Sequence, residues 1–229
     1  MQFRHECKHE ISYSDMIAIR QRMRAVAGND PHATGGKYLI RSLYFDTPED
    51  KALLEKRSGI SRRQKFRIRY YNGDTSFIHL EKKSKAGGLG TKVQARLTHE
   101  QAQAIVDGQT DWMMGSDEPL IRELYTHMKS ERLGPKTIVD YTREPFVFSP
   151  GHVRVTLDYD IRSGLGCTDF LNTECITIPA AAHICILEVK WDNYLPDIIR
   201  DAVHLPHART EAFSKYETCR FPLIYHACI

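Results

Sequence analysis

Residues 62–85, RRQKFRIRYYNGDTSFIHLEKKSK, decide how this chain folds. Two runs rich in apolar and aromatic residues flank Asn72-Gly73-Asp74, a strong turn signal, so the stretch is predicted to be a β-hairpin. Side chains in a strand alternate between faces. On the first arm Lys65, Arg67 and Arg69 share one face, with Phe66, Ile68 and Tyr70 opposite. On the second arm His79, Glu81, Lys83 and Lys85 share a face, with Ile78, Leu80 and Lys82 opposite. The hairpin therefore presents a comb of guanidinium, ammonium and carboxylate groups.

For one hairpin alone, such a comb is the solvated side of an antiparallel sheet. The pattern recurs, however: Arg4, Glu6 and Lys8 alternate near the start, Arg154, Asp158 and Asp160 around residue 155, and Glu188 and Lys190 in ILEVKW. Several strands with a mixed but mostly basic face and apolar residues behind it fit either an open sheet with helices on its apolar side or a barrel with a polar lumen and helices outside. The lumen arrangement concentrates cationic donors as a polyanion site requires.

Composition bounds this reading. A chain of 229 residues, 41% hydrophobic and 27% charged, is ordinary for a globular protein of one or two domains. The formal net charge is only +3, so a strong positive field has to come from clustering. No apolar run approaches membrane-spanning length, and the start, MQFRHECKHE, lacks a signal-peptide core; a cytoplasmic location is expected. Cys7, Cys167, Cys175, Cys185, Cys219 and Cys228 are widely spaced without a CxxC pair, which argues against a zinc or thioredoxin-like centre and for reduced, structural thiols.

The remaining elements follow in order. Residues 3–11 read as a strand and 12–27 as a helix capped by Ser14, with a stripe of Met16, Ile17, Ile19, Met23 and Val26. A turn-rich loop spans 28–37, and a strand spans 38–45. Asp46-Thr47-Pro48 then looks like a helix start, with Thr47 as cap for a helix over 49–57. After the hairpin, Gly87-Gly88-Leu89-Gly90 reads as a turn and matches no nucleotide-loop signature. Strand 91–97 precedes a helix capped by Thr98, and 118–132 is helical with a core stripe through Leu120, Ile121, Leu124, Tyr125 and Met128. Strands are expected at 137–148, 153–161 and 183–192, an irregular segment at 162–182, and helices at 196–203 and about 210–225. One α+β domain over 1–229, with about eight mostly antiparallel strands, results.

These pieces in order carry a resemblance. F-R-H-E-C-K-H, S-L-Y-F-D-T-P, K-F-R-I-R-Y-Y, H-L-E-K-K, K-V-Q-A-R, Y-T-R-E-P-F, L-D-Y-D, I-L-E-V-K-W and F-S-K-Y together resemble the VTC domain, the polyphosphate-polymerase branch of the triphosphate tunnel metalloenzyme (CYTH-like) superfamily. The resemblance implies an eight-stranded antiparallel tunnel β-barrel with helices packed outside. It makes Lys8, Arg67, Arg69, Lys83, Lys92, Arg143, Lys190 and Lys215 phosphate-lining residues, and Glu188 the metal-binding carboxylate with Glu6 and Glu81 as helpers. Arg4 and Arg154, on the same alternating faces, join the substrate-binding candidates. Two departures stand out. VTC polymerases often carry a second lysine three residues before that of F-S-K-Y, where this chain has Ala212 preceded by Glu211. The first strand has Glu6-Cys7-Lys8, one acidic residue fewer than the hydrolase and cyclase branches, which favours the VTC branch.

The implied chemistry suits the residue types. Phosphoryl transfer is mostly positioning and charge stabilisation. Arg67, Arg69, Lys190 and Lys215 would neutralise the transferring group, and Glu188 would hold Mn²⁺ or Mg²⁺. The leading expectation is transfer of the ATP γ-phosphoryl group to a growing polyphosphate chain. Metal-dependent triphosphate hydrolysis and non-catalytic polyphosphate sensing are the alternatives. Nucleic-acid binding is not expected, because Tyr70, Tyr71 and Phe77 are read onto the apolar side of the hairpin. Coupling to polyphosphate export would require a separate membrane partner.

Overall fold

The computed structural model describes residues 5–87, 89–205 and 213–221. Its strands are β1 (His5–Ile11), β2 (Gly28–Asn29), β3 (Tyr38–Asp46), β4 (Arg63–Tyr71), β5 (Asp74–Ala86), β6 (Leu89–Leu97), β7 (Gly134–Phe148), β8 (Val153–Ser163), β9 (Ile178–Ala181) and β10 (Cys185–Trp191). Eight of them form a continuous path, β1-β10-β8-β7-β3-β4-β5-β6, while β2 pairs with β7 and β9 with β8. All pairings are antiparallel. The expected α+β fold with helices outside an antiparallel sheet is what is found. The path curls into a half-barrel; among the described residues β1 and β6 remain its two edges.

The helices are α1 (Tyr13–Val26), α2 (Lys51–Arg57), α3 (His99–Val106), α4 (Pro119–Ser130), α5 (Asp197–Ala202) and α6 (Lys215–Arg220). Strand alternation sorts the apolar residues into three cores. Phe66, Ile68, Tyr70, Ile78 and Leu80 of the hairpin pack against Ala102 and Ile105 of α3 and Leu120, Ile121 and Leu124 of α4. Met16, Ile19 and Met23 of α1 and Ile199 of α5 cover Val155, Leu157, Leu187 and Val189 on the same convex side. A third cluster lies on the concave side, where Tyr216 and Cys219 of α6 and Ala180 and Ala181 of β9 meet Tyr38, Ile40, Tyr44, Tyr141 and Ile186. The concavity is thus partly filled by α6 and β9, and ionic side chains occupy the rest of its wall.

Several local expectations are corrected. The cap of α1 is Ser12, not Ser14: Ser12 Oγ accepts from Asp15 N at 3.1 Å and Ser12 N donates to the Asp15 carboxylate at 3.3 Å, a capping box. Helix α2 begins two residues later than expected. Thr47 Oγ1 accepts from Lys51 N at 3.2 Å, but the buried Asp46 carboxylate accepts from Ala52 N at 2.8 Å and Leu53 N at 3.2 Å. The same carboxylate accepts from the Tyr216 hydroxyl at 2.7 Å, so one residue caps α2 and fastens α6 to the concave wall. The segment 162–182 is not wholly irregular, since it contains β9. Asp160 does not continue the comb of Arg154 and Asp158: its left-handed φ of 50° breaks the alternation and turns it to solvent. The hairpin turn is as read, with Asn72 and Gly73 at φ 52° and 74°, both left-handed as a type I′ turn requires. Of the predicted last helix, α6 is described; residues 206–212, including Glu211 and Ala212, and 222–229 lie outside the described residues, as does Arg4.

Candidate active site on the concave wall

Register brings the predicted comb together in rungs. Across β4, β5 and β6, Arg69, His79 and Arg96 form one rung, Arg67, Glu81 and Gln94 the next, and Lys65, Lys83 and Lys92 the third. Glu81, 1% exposed, is the counter-ion here. Arg67 Nε donates to it at 2.7 Å, Lys92 pairs with it at 2.5 Å, and Arg69 stands at 3.9 Å. Burial alone would raise the Glu81 carboxyl, but these three cations hold it far below the usual carboxylate range. Arg67 also donates to the Tyr44 hydroxyl at 2.8 Å, and Arg69 to Ser42 Oγ and the Tyr141 hydroxyl, both at 2.9 Å.

Lys83 and Lys65 have no carboxylate partner among the described residues. Solvent reaches Lys83, yet it sits deep within the curl, and the charge of Arg67, then burial, then Lys8 and Lys190 push its ammonium well below the ordinary lysine value. Lys65 lies 3.4 Å from Ser214 Oγ and over the Tyr216 ring; burial, with Lys56 and Arg63 nearby, lowers it to about 8.

The opposite flank is differently balanced. Asp158, wholly buried, takes a two-pronged bond from Arg143, 2.7 Å on each oxygen, and Lys215 Nζ at 2.6 Å. Burial would raise its carboxyl, but Arg143 and Lys215 bring it down to about 2. Glu188 lies 3.0 Å from Lys8 and 2.6 Å from Lys190, and Glu6 pairs with Lys8 and, at 3.7 Å, Lys190. Burial and its neighbour Glu188 push the Glu6 carboxyl up, and the two lysines more than reverse both. Arg154 stands opposite Lys190 in the β8–β10 register, but its ion pair is with Asp30 at 3.0 Å.

Two carboxylates sharing two lysines offer hard oxygen donors of the kind Mg²⁺ and Mn²⁺ take. The described residues contain no group of three or more histidine, cysteine, aspartate or glutamate side chains placed to hold an ion. Phosphate oxygens would have to complete any coordination by Glu188 and Glu6. Glu81, the other expected helper, lies on the opposite flank and is bound there by Arg67 and Lys92.

Three residues the sequence reading left out of the site belong to it. Lys65 was on the comb face but not among the candidates. Asp158 is the shared partner of Arg143 and Lys215. Tyr141 lies among cations, its ring centroid 4.6 Å from Lys215 Nζ, 5.6 Å from the Arg143 guanidinium and 5.7 Å from that of Arg69. Burial raises the Tyr141 phenol, and those cations bring it below the ordinary tyrosine value. The signal was available, since Tyr141 stands two residues before Arg143 on one strand. Phe77 also differs from its reading. It lies on the concave face with His79, and Tyr71 likewise packs on the concave side, against Tyr38 and under Arg69, while Tyr70 is in the convex core as expected. Trp191 stacks on His5 at 5.3 Å, and Trp112 packs against the convex core.

Comparison with known proteins agrees with this architecture. A candidate adenylate cyclase from Vibrio parahaemolyticus matches with a TM-score of 0.54 at 13% identity, over 95% of this chain and 97% of that one. A candidate adenylate cyclase from Bacillus halodurans matches with a TM-score of 0.49 at 14% identity, over 83% of this chain and 80% of that one. At such identities the likeness, carried by the Vibrio protein, speaks to fold alone. No curated protein matches the chain. No helix among the described residues is long and apolar enough to cross a membrane. The VTC domain profile matches residues 3–222, nearly the whole length, and the chain therefore belongs to the VTC domain family.

Proposed function

We propose that this protein is a nucleotide-dependent polyphosphate polymerase that transfers the γ-phosphoryl group of ATP to the end of a growing chain. The observation that carries the proposal is the excess of cations on β4–β6: Arg67, Arg69 and Lys92 share the carboxylate of Glu81, and Lys65, Lys83 and Arg96 on the same face have no ion-pair partner among the described residues. A row of cations short of counter-ions is stabilised by a polyanion that supplies them. Arg67 and Arg69 are held rigid by Glu81, Tyr44, Ser42 and Tyr141, so their remaining N–H groups are oriented before substrate arrives.

On the other flank Lys190, Lys8, Arg143 and Lys215 bind phosphate oxygens, and Lys190 and Lys215 neutralise charge on the transferring group. Glu188, with Glu6, would hold Mn²⁺ or Mg²⁺, which when bound offsets the negative charge of the phosphates. A phosphate at the end of the chain is the acceptor, so no protein nucleophile is required. The Glu6–Glu188 pair also favours a second reading, hydrolysis of triphosphate, because a carboxylate beside the phosphates can orient water.

Arg67→Ala and Glu188→Gln test the assignment. Each is expected to lower the rate of ATP-dependent polyphosphate synthesis by 100-fold or more, roughly the effect of removing a group that stabilises developing charge. Wild-type rates in both variants would refute it. A location in the cytoplasm and a membrane-bound partner for export belong to the same proposal; tagged protein in fractionated cells and its co-purifying proteins test them.

A further inference from the structure

Phe77 interrupts the ionic run on the concave face of β5. Ile78 and Leu80 are buried in the convex core, so Phe77 shares its face with His79, Glu81 and Lys83. It is 44% exposed. The Arg96 guanidinium lies over its ring at 4.9 Å, and the His79 ring meets it edge-on at 4.6 Å. A large aromatic surface left open to solvent on a charged wall is a stacking platform awaiting a partner.

The position of the platform is informative. At about 3.3 Å per residue, Phe77 stands roughly 7 Å along the strand from the rung of Arg69, 13 Å from that of Arg67 and 20 Å from that of Lys65, Lys83 and Lys92. A ribose and three phosphates in extended form bridge the first two of these distances, which places the triphosphate on the rungs of Arg69 and Arg67 with its free end pointing toward Lys83. We infer that Phe77, with Arg96 and His79, forms a nucleobase site, and that it takes the base of a nucleoside triphosphate whose phosphates run along β4–β6 toward Lys83. The inference rests on the phosphate-binding role proposed above and adds to it a means of distinguishing a nucleotide from a bare phosphate chain. Every base has a π-face, so stacking accepts adenine and guanine alike. Burial holds the His79 imidazole below its ordinary value, which leaves it neutral at pH 7, with one ring donor and one acceptor for a base edge.

The test is titration of the full-length protein with ATP and, separately, with inorganic tripolyphosphate in EDTA. Tripolyphosphate carries the phosphates without the base. Phe77→Ala is expected to weaken ATP about 5- to 150-fold, the range of a lost base–aromatic stack, and to leave tripolyphosphate within about twofold. Unchanged tripolyphosphate binding also shows that the variant is folded. Phe77→Trp is expected to keep ATP affinity and to gain fluorescence quenched by ATP but not by tripolyphosphate. Equal weakening of both ligands, or none for ATP, would overturn the nucleobase site while leaving the phosphate wall standing. Failure of the wild type to bind either ligand would overturn both.

Discussion

On the flank formed by β1, β10, β8 and β7, Lys8, Lys190, Arg143 and the α6 residue Lys215 face Glu6, Glu188 and Asp158. On the flank formed by β4, β5 and β6, Arg67, Arg69 and Lys92 share Glu81, while Lys65, Lys83 and Arg96 have no ion-pair partner among the described residues. The first flank is nearly neutral before any substrate arrives, and its charges hold one another in place. The second is strongly positive and remains so until an anion enters. Like charges packed without counter-ions cost stability, and recovery of that cost on binding is a source of affinity. Under the proposed function, the first flank supplies architecture and would hold the metal, and the second captures the phosphate chain.

The largest expected effect breaks the balanced flank. Asp158→Asn leaves Arg143 and Lys215 buried without a counter-ion, at a cost of about 3–5 kcal/mol. For a chain of this size the melting temperature should fall by about 10 °C. The wild-type pH dependence has a definite sign. The Asp158 carboxyl is held at about 2, below its ordinary 3.8, so its contribution to stability is complete above the ordinary value and disappears as pH falls through about 2. Thermal melts across pH 2–7, compared with the Asn variant, measure it. A variant that melts like wild type would remove the argument for a self-neutralised flank.

The positive flank should respond in the opposite way. Lys83→Met removes a repelled charge, so the variant should melt at or above the wild-type temperature while binding tripolyphosphate at least about tenfold more weakly, the loss of one charge-assisted contact. Weakened binding together with lowered stability would mean that Lys83 is structural. Lys65 gives the smallest effect. Its ammonium titrates at about 8 in the folded chain, below the ordinary 10.5, so stability should rise between about pH 8 and 10.5, where the unfolded chain holds more protons. Phosphate binds the protonated form, and tripolyphosphate affinity should fall as pH rises through about 8. Lys65→Arg, which keeps its charge, should flatten that profile in a calorimetric titration.

The hairpin was legible because its period-2 alternation and its Asn-Gly turn are local signals. So was the shared face of the candidate residues on β4 and β5, since Arg67, Arg69, Glu81 and Lys83 fall together once the faces are sorted. The pairing partners were not legible, because they depend on contacts remote in sequence. Lys215 reaches Asp158 across 57 positions, and Tyr216 reaches Asp46 across 170. Nor did alternation survive everywhere. The left-handed Asp160 broke it on β8, and reading Phe77 onto the apolar side miscounted a face that His79, two residues on, already fixed. Ser12 shows the reverse, a cap readable in advance from the Ser-x-x-Asp spacing that Asp15 completes.

The central claim is that the open, cationic flank captures a phosphate chain while the balanced flank positions the reacting group. Its most direct test is to incubate the purified full-length chain with ATP and Mn²⁺ or Mg²⁺, with and without a short polyphosphate primer, and to resolve the products by gel and ³¹P NMR. The account expects long chains with interior-phosphate resonances and ADP released in step with each phosphate incorporated. Orthophosphate as the sole phosphate product would contradict it and identify the Glu6–Glu188 flank as a hydrolytic centre. No turnover, with tripolyphosphate bound tightly in the same sample, would contradict it too and leave the wall as a binding surface.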